Sequence, residues 1–537
     1  MNQNESNSMV NHAQGDFLMN DREPNPVMQE NVLYFWGMAL IYGICFAVAF
    51  YRNFMGITYP VIILITLADC GLFLKKCKIL WKRSNWWYVG GSMLLGISTV
   101  LTANGFVILF NTVGVLLLIT VFMIRQIYDD RRWGLVQYFC NIFYFYLCMA
   151  PELARPLIHI AGYLKKHKKQ ERKHKNIKYI LAGILIGLPM LLLVIGLLSS
   201  ADQIFSRVMG SVFHNLSIQS LFSPNRFLIT FLIVLGFFGI YCFFSALSLN
   251  HMPEWKSTGK KNNPVTAITF LSMITAVYVI FCMIQVIFLF TGGRLLPKEY
   301  TYAEYARQGF FQLLFVCIFN LILVVLCLGI FWQNKFLKIL LAVFSGCTYV
   351  MIASSGFRML LYIEAYHLSF LRVLALWFLV MLAFLMAGVL INIRKGEFEL
   401  FRYGLIVVTV CYLIFSFGRV DAVVAFYNVS QLGDDISYGD VVYLANLSVD
   451  AAPVLKQYKF EHHHSQYFYS NQRYAENRYE NYEQQEQRTY ISGCRKCRLD
   501  QYFEDILKHT EDMNVRTFHI SKYMAKKAAM EYFDNQK

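Results

Sequence analysis

The chain has 537 residues, of which 57% are hydrophobic and only 15% are charged. A soluble protein carries about a quarter charged residues, so this composition excludes an ordinary soluble domain. The formal net charge of +15 would suggest nucleic acid in a soluble chain, but the basic loops of a membrane protein explain it and we expect no nucleic-acid partner.

Residues 1–31 are polar and lack hydrophobic periodicity, so we predict a disordered cytoplasmic tail. Residues 32–418 form a predicted transmembrane domain, because its apolar blocks of about twenty residues match the roughly 30 Å of bilayer hydrocarbon. The predicted fold is an all-α polytopic bundle with these eleven spans: 32–51, 55–74, 88–103, 106–124, 179–198, 227–247, 266–290, 310–331, 337–354, 373–393 and 403–417.

Residues 133–150 are a twelfth apolar stretch, rich in Tyr, Phe and Trp and flanked by charged residues. This composition is typical of a helix that lies in the membrane interface. The sequence leaves a spanning helix open, and that alternative would invert the topology of everything that follows.

The distribution of lysine and arginine favours eleven spans with the N-terminus in the cytoplasm. The five inner loops then hold about three times as many basic residues as the five outer loops. The densest block, 165–178, lies in the cytoplasmic loop 125–178, where we expect it to attract anionic inner-leaflet lipids. The predicted location is the cell membrane, with the C-terminal region outside the cytoplasm.

Residues 419–537 are less apolar and predict a small helical extracytoplasmic region. Asp450 is expected to cap a helix there, and strand-like alternation is not apparent in the sequence. The predicted helices are 420–429, 440–458, 501–509 and 515–532.

Residues 355–373 place ionisable and aromatic side chains between two apolar runs, namely Arg358, Tyr362, Glu364, Tyr366 and Arg372. At helical spacing Arg358 and the two tyrosines share one face, while Glu364 lies roughly opposite. A buried Arg358 therefore needs a partner from another segment. The tyrosines as interfacial anchors, a buried structural pair, and a substrate or ion site all remain open.

Two predicted outer loops carry capping-box patterns, at 200–203 and 301–304, and both predict short helices. Glu304 and Arg307 lie one helical turn apart and can pair. In this topology both loops share the outer side with residues 355–373. The candidate functional cluster comprises Asp202, Glu304, Arg307, Arg358, Tyr362, Glu364, Tyr366 and Arg372.

The sequence RMLLYIEAY followed by LSFLRV resembles the arginine–tyrosine–leucine motif of a bacterial membrane protein family, domain of unknown function 4173, a relative of domain of unknown function 4153. The resemblance implies a polytopic membrane fold and supplies no activity. That family usually has Gly at the position of His367 and Trp-Asn at Phe518-His519. Four further stretches are similar: LLSSADQIF, YTYAEYARQGFFQLLFV, RVDAVVAFYNV and YLANLSVDAAPVL.

Cys494 and Cys497 have the spacing of a redox dithiol or of half a zinc site, with histidines at 462–464 and 509 as further donors. Neither a second CxxC nor a thioredoxin-like pattern accompanies them, which favours a structural disulfide or free thiols. We expect no cofactor.

Several polar residues lie within apolar runs. Asn111, Gln285 and Asn320 are expected to form hydrogen bonds between helices. Asp69 is expected to pair with Lys75 and Lys76, with a proton or cation site as the alternative.

The motif search favours a non-enzymatic protein that binds partners or senses the envelope, because phosphate-binding loops, GxSxG and HExxH are absent from the sequence. The alternatives are a secondary transporter and a membrane-embedded enzyme that acts on an envelope or lipid-linked substrate.

Overall fold

A computed structural model gives the fold for most of the chain. It describes residues 17–19, 27–53, 55–128, 130, 133–167, 187, 191, 194, 198, 202, 204–205, 224–249, 253–255, 262–290, 302–396, 398–433, 436–458 and 495–535.

Nine helices in the described part are long and apolar enough to cross a membrane. Most are apolar around their whole circumference, which is typical of helices surrounded by lipid and by other helices. The all-α polytopic fold predicted from the sequence is therefore confirmed. The nine are α2 (Val32–Phe50), α3 (Thr58–Lys76), α5 (Gly105–Ile127), α8 (Pro224–Leu249), α9 (Pro264–Phe290), α10 (Tyr302–Ile330), α11 (Lys335–Tyr366), α12 (Phe370–Lys395) and α13 (Leu400–Phe417).

Two of the eleven predicted spans are not among these nine. The third corresponds to α4 (Trp86–Leu101), whose 16 residues rise about 24 Å, less than the roughly 30 Å of hydrocarbon. The fifth, 179–198, lies mostly outside the described residues. Four of its positions are described, and all four are helical and exposed.

A short helix, α6 (Leu135–Met149), corresponds to the twelfth apolar stretch. Just before it, Asp130 pairs with Arg125 at the end of α5, and Nε lies 2.6 Å from Oδ2. Just after it, Glu152 accepts a hydrogen bond of 2.5 Å from Ser245 near the end of α8. Both ends of α6 thus lie at one end of the bundle, which is the geometry of an interfacial helix.

Contacts between connections define two ends of the bundle. At one of them, the junction end, the connections 51–57, 102–104 and 366–370 contact the C-terminal region. At the other, the basic end, Lys82 donates to the carbonyl of Arg125 at 2.6 Å. This arrangement agrees with the alternation of the predicted topology, and which end faces the cytoplasm stays a prediction.

Short elements lie at the basic end. The predicted disordered tail contains β1 (Phe17–Met19), which pairs antiparallel with β2 (Pro253–Trp255), and α1 (Val27–Glu30). The prediction of disorder is wrong for these two segments, because they find partners on the bundle and Met28 is buried. A further helix, α7 (Arg155–His167), follows a single 3-10 turn.

Small helices form the C-terminal region at the junction end. Their core contains the stacked rings of Phe503 and Tyr532, with centroids 4.2 Å apart. The single helix predicted over 440–458 is wrong, because the first helix there ends at Ala445 and the 3-10 turn Val449–Ala451 precedes the next helix. The helices are α14 (Val420–Leu432), α15 (Tyr438–Ala445), α16 (Ala452–Leu455), α17 (Arg495–Thr510) and α18 (Ile520–Asp534).

Candidate functional site

Arg358 lies inside the bundle, with 6% of its surface exposed. Its Nη2 donates to Oε1 of Gln285 on α9 at 3.0 Å, and the same oxygen accepts from the Ser354 hydroxyl at 2.6 Å. Helix α10 also passes close, because a Cβ added at Gly309 would collide with the Arg358 guanidinium. A partner of Arg358 therefore comes from another helix, as its spacing from Glu364 predicts.

Tyr362, Tyr366 and Arg372 form a compact group at the end of α11. The two rings lie 5.0 Å apart, and the Arg372 guanidinium lies 4.3 Å from the Tyr362 centroid. Arg372 also donates to the carbonyl of Tyr366 at 2.6 Å and to that of His367. The last carbonyls of α11 have no partner within the helix, so Arg372 acts as a side-chain cap for them.

The other predicted cluster members are dispersed or only partly described. Glu364 is exposed on α11. Asp202 is also exposed, and its Oδ1 accepts from the amide of Ile204 at 2.8 Å. Glu304 and Arg307 lie on the first turns of α10, where the backbone is described and their side chains are not. Convergence of all eight residues stays a prediction.

Asp450 joins the bundle to the C-terminal region. The carboxylate is 0% exposed, and its Oδ2 accepts from the hydroxyl of Thr102 at 2.6 Å and the amide of Ala103 at 3.1 Å. Its Oδ1 accepts from the hydroxyl of Ser521 and from the Arg419 guanidinium at 3.5 Å. The prediction that Asp450 caps a helix is wrong, because both carboxylate oxygens accept hydrogen bonds from segments that are distant in sequence.

A second buried acid, Asp421, lies beside this network and is 2% exposed. Its Oδ2 accepts from Nδ2 of Asn104 at 2.8 Å and from the amide of Ser448 at 3.1 Å. Asn104 also caps α5 by accepting from the amide of Val107 at 3.2 Å. We call the segments that these two acids connect the junction; they are 102–104, 419–421, 448–450 and 519–521.

His519 closes the junction from the C-terminal side and is 1% exposed. Burial lowers the pKa of this imidazole to about 4, and the nearby Lys522 acts in the same direction. The neutral ring places Nε2 3.1 Å from the carbonyl of Thr99. Since a carbonyl only accepts, the proton lies on Nε2 in this arrangement.

A pocket of about 460 Å³ opens beside the junction, between the first turns of α5 and α12 and the helices α14 and α15. This volume lies in the range of small-molecule sites. The pocket links the end of the predicted arginine–tyrosine stretch to Asp421. Its lining residues are Asn104, Gly105, Ser369, Phe370, Leu371, Asp421, Tyr443, Asn446, Leu447 and Ser448.

The predicted hydrogen bonds between helices are confirmed. Asn111 bonds side chains of α4 and α13, and Asn320 bonds side chains of α9 and α11. The expected pairing of Asp69 with lysine is not seen among the described ion pairs. Lys76 instead lies 4.7 Å from the centroid of Tyr34, and Asp69 Oδ2 has no hydrogen-bond partner.

The cysteine pair is only half described. Cys497 is exposed on α17, and Cys494 lies outside the described residues. Within the described ranges, no group of three His, Cys, Asp or Glu side chains is placed to hold a metal ion. The disulfide, thiol and zinc interpretations stay predictions.

The signal for the junction is present in the sequence. Asp421 and Asp450 each interrupt an apolar run, in RVDAVVAF and in SVDAAPVL. The same reasoning that singled out Arg358 applies to both acids, since a charge within an apolar run needs a partner when it is buried. Their position after the last span disguised this, because solvated acids are ordinary in an extramembrane region.

A family model described as domain of unknown function (DUF4153) matches residues 89–458, more than half of the chain. The match includes both junction acids and ends before α17. No curated protein and no solved structure matches the chain.

Proposed function

This chain belongs to the family of domain of unknown function DUF4153, and from that premise we propose that it is a non-enzymatic membrane protein that binds a partner or senses the state of the envelope. The family description supplies no activity, so the proposal rests on the chain's own geometry. The observation that carries it is the buried Asp450, which fixes the C-terminal region to the bundle.

Burying a carboxylate costs several kcal/mol unless donors compensate it. Asp450 has donors from the α4–α5 connection, from Arg419 and from Ser521 at the start of α18. A further anchor is Arg516, which donates to the carbonyls of Val48 at 3.1 Å and Tyr51 at 2.5 Å.

A region fixed in this way can pass a binding event to the spans. A ligand on the C-terminal helices changes the arrangement of the bundle only if it binds more tightly to one of two arrangements of the junction. The junction can transmit such a change, because four separate segments are held there by two carboxylates.

The proposal includes a location and a topology. We place the protein in the cell membrane, with residues 1–31 in the cytoplasm and 419–537 outside. The basic block 165–178 then faces anionic inner-leaflet lipids. A closer relation to domain of unknown function 4173, suggested by the motif that begins at Arg358, also belongs to this proposal.

The test compares cells that carry the wild-type gene, a deletion, Asp450→Ala or the control Asp440→Ala. Asp440 is half-buried on α15 and forms a local capping box with Ser437. Under detergent and osmotic stress, Asp450→Ala should resemble the deletion while the protein remains in the membrane at its normal amount. Wild-type behaviour of Asp450→Ala with an undocked C-terminal region, checked by protease sensitivity, would remove the basis of the proposal.

One observation favours a transporter as the second candidate. Asp69 is 8% exposed within α3, and its Oδ2 has no hydrogen-bond partner. An intramembrane acid of this kind is a typical proton or cation site. Proteoliposomes that contain a pH-sensitive dye distinguish the two functions, because transport predicts a proton flux that Asp69→Asn abolishes and Asp450→Ala leaves in place.

A further inference from the structure

One oxygen of Asp421 is left without a partner in the junction. Oδ2 accepts two hydrogen bonds, whereas Oδ1 is buried and accepts none. The hydroxyl of Ser448, whose backbone amide donates to Oδ2, also has no hydrogen-bond partner. Both residues line the 460 Å³ pocket. Two unsatisfied acceptors therefore belong to residues that border a space of ligand size.

The charge of Asp421 is not balanced by a neighbouring cation in the described part of the chain. Arg419 forms its ion pair with Asp450, Arg372 donates to the end of α11, and Arg498 donates to Oδ1 of Asn446 at 2.6 Å. The two hydrogen bonds to Oδ2 offset only part of the cost of burying this carboxylate. The pocket thus favours a ligand that brings positive charge and several N–H donors.

The rest of the lining selects an organic cation over a metal ion. Asp421 is the single acid among the described residues that line the pocket, and Phe370, Leu371 and Leu447 give it an apolar wall. Calcium and magnesium prefer several oxygen ligands, usually with more than one carboxylate. An ammonium group has three donors, which suits one carboxylate oxygen and one hydroxyl.

We propose that this pocket binds a primary ammonium group carried on a small apolar body. The ammonium donates to Oδ1 of Asp421 and to Oγ of Ser448, and the body packs against Phe370 and Leu447. This site goes beyond the proposed function and does not depend on it. Phosphatidylethanolamine headgroups and soluble amines both carry a primary ammonium group. A lipid headgroup is a candidate because the pocket lies at the first turns of two spans.

The experiment is calorimetric titration of the full-length protein in phosphatidylcholine nanodiscs with 2-phenylethylamine and with its neutral analogue 2-phenylethanol. We expect the amine to bind at least about tenfold more tightly than the alcohol, because hydrogen bonds to a charged group are stronger than those between neutral groups. Adding phosphatidylethanolamine to the nanodiscs distinguishes the sources. Competition with the amine identifies a lipid headgroup, and unchanged binding identifies a soluble amine.

Three variants locate the site. Asp421→Asn keeps an oxygen for Asn104 and for the amide of Ser448, and should weaken amine binding about tenfold to a hundredfold. Ser448→Ala removes a hydroxyl without a partner, so the fold is retained and amine binding should weaken severalfold. Asp505→Asn, an equal charge change at an exposed position of α17, should leave binding unchanged.

The proposal is overturned if the wild-type protein binds neither probe, or if the alcohol binds as tightly as the amine. Unchanged amine binding by a folded Asp421→Asn protein also overturns it. If Asp421→Asn does not fold, the amine affinity of Ser448→Ala becomes the test. Wild-type affinity in that variant would then overturn the proposal.

Discussion

Arg358 and Asp450 are both buried charges, yet their surroundings differ. Arg358 lies among the spans and donates to the side-chain amide of Gln285, on another helix of the same bundle. Asp450 accepts from two hydroxyls, an amide and a guanidinium that belong to separate segments. Arg358, within an apolar run, therefore forms its described contacts inside the bundle. Asp450, beyond the last span, connects the bundle to the C-terminal region.

Asp450→Ala should have the largest effect in this comparison. We expect the free energy of unfolding to fall by about 3–5 kcal/mol, because the hydroxyls of Thr102 and Ser521 and the amide of Ala103 lose their buried acceptor, at about 1–3 kcal/mol for each group left unsatisfied. Thermal unfolding and hydrogen exchange of the protein in nanodiscs measure this loss of stability. We expect amide exchange to become faster in α18 and at 102–104. Asp440→Ala should cost only about 1 kcal/mol. Equal losses in the two variants would contradict a joining role for Asp450.

Gly309→Ala tests the surroundings of Arg358. The added methyl group collides with the guanidinium, so we expect a loss of about 2 kcal/mol from overpacking. Gly346→Ala on α11 is the matched control, because nothing lies within 4 Å of its Cβ and alanine should stabilise that helix by about 0.5–1 kcal/mol. Thermal unfolding compares them. A gain of stability in both would show that Arg358 moves aside freely.

His519 should make the junction sensitive to pH. Its pKa of about 4 lies below the ordinary value, so between pH 7 and pH 5 the unfolded chain takes up a proton and the folded protein does not. The free energy of unfolding should therefore fall by about 2 kcal/mol as pH falls over this window. His519→Gln should lose this dependence, whereas His509→Gln, at an exposed position, should retain it. The same pH profile in all three proteins would refute the assignment.

His367→Gly should have the smallest effect and the opposite sign. His367 ends α11 with φ +63° and ψ −177°, a conformation that glycine adopts and other residues enter at a cost of about 1–3 kcal/mol. The backbone carbonyl that accepts from Arg372 is kept. After the entropy cost of glycine we expect a gain of about 1 kcal/mol, seen as a higher unfolding temperature. His367→Ala retains the strain and is the control; a similar gain there would attribute the effect to the imidazole.

The candidate site was predictable only in part. Helical spacing correctly required a partner for Arg358 from another helix, because residues six apart do not share a face. It did not identify Gln285, which is one of several polar residues within the spans. The roles of Arg372 as a helix cap and of Tyr443 as a pocket wall depend on how connections distant in sequence are placed.

The sequence by itself determined the membrane class and most of the spans, and it favoured a place in the membrane interface for residues 133–150. These features depend on the length and composition of single segments, because the thickness of the bilayer sets how long and how apolar a spanning helix must be. The tertiary structure alone decided that Asp450 and Asp421 are buried and that Thr102, Arg419 and Ser521 meet. Hydrogen bonds between residues about 350 positions apart leave no periodicity in the chain, and whether an acid is solvated or buried follows only from what packs against it.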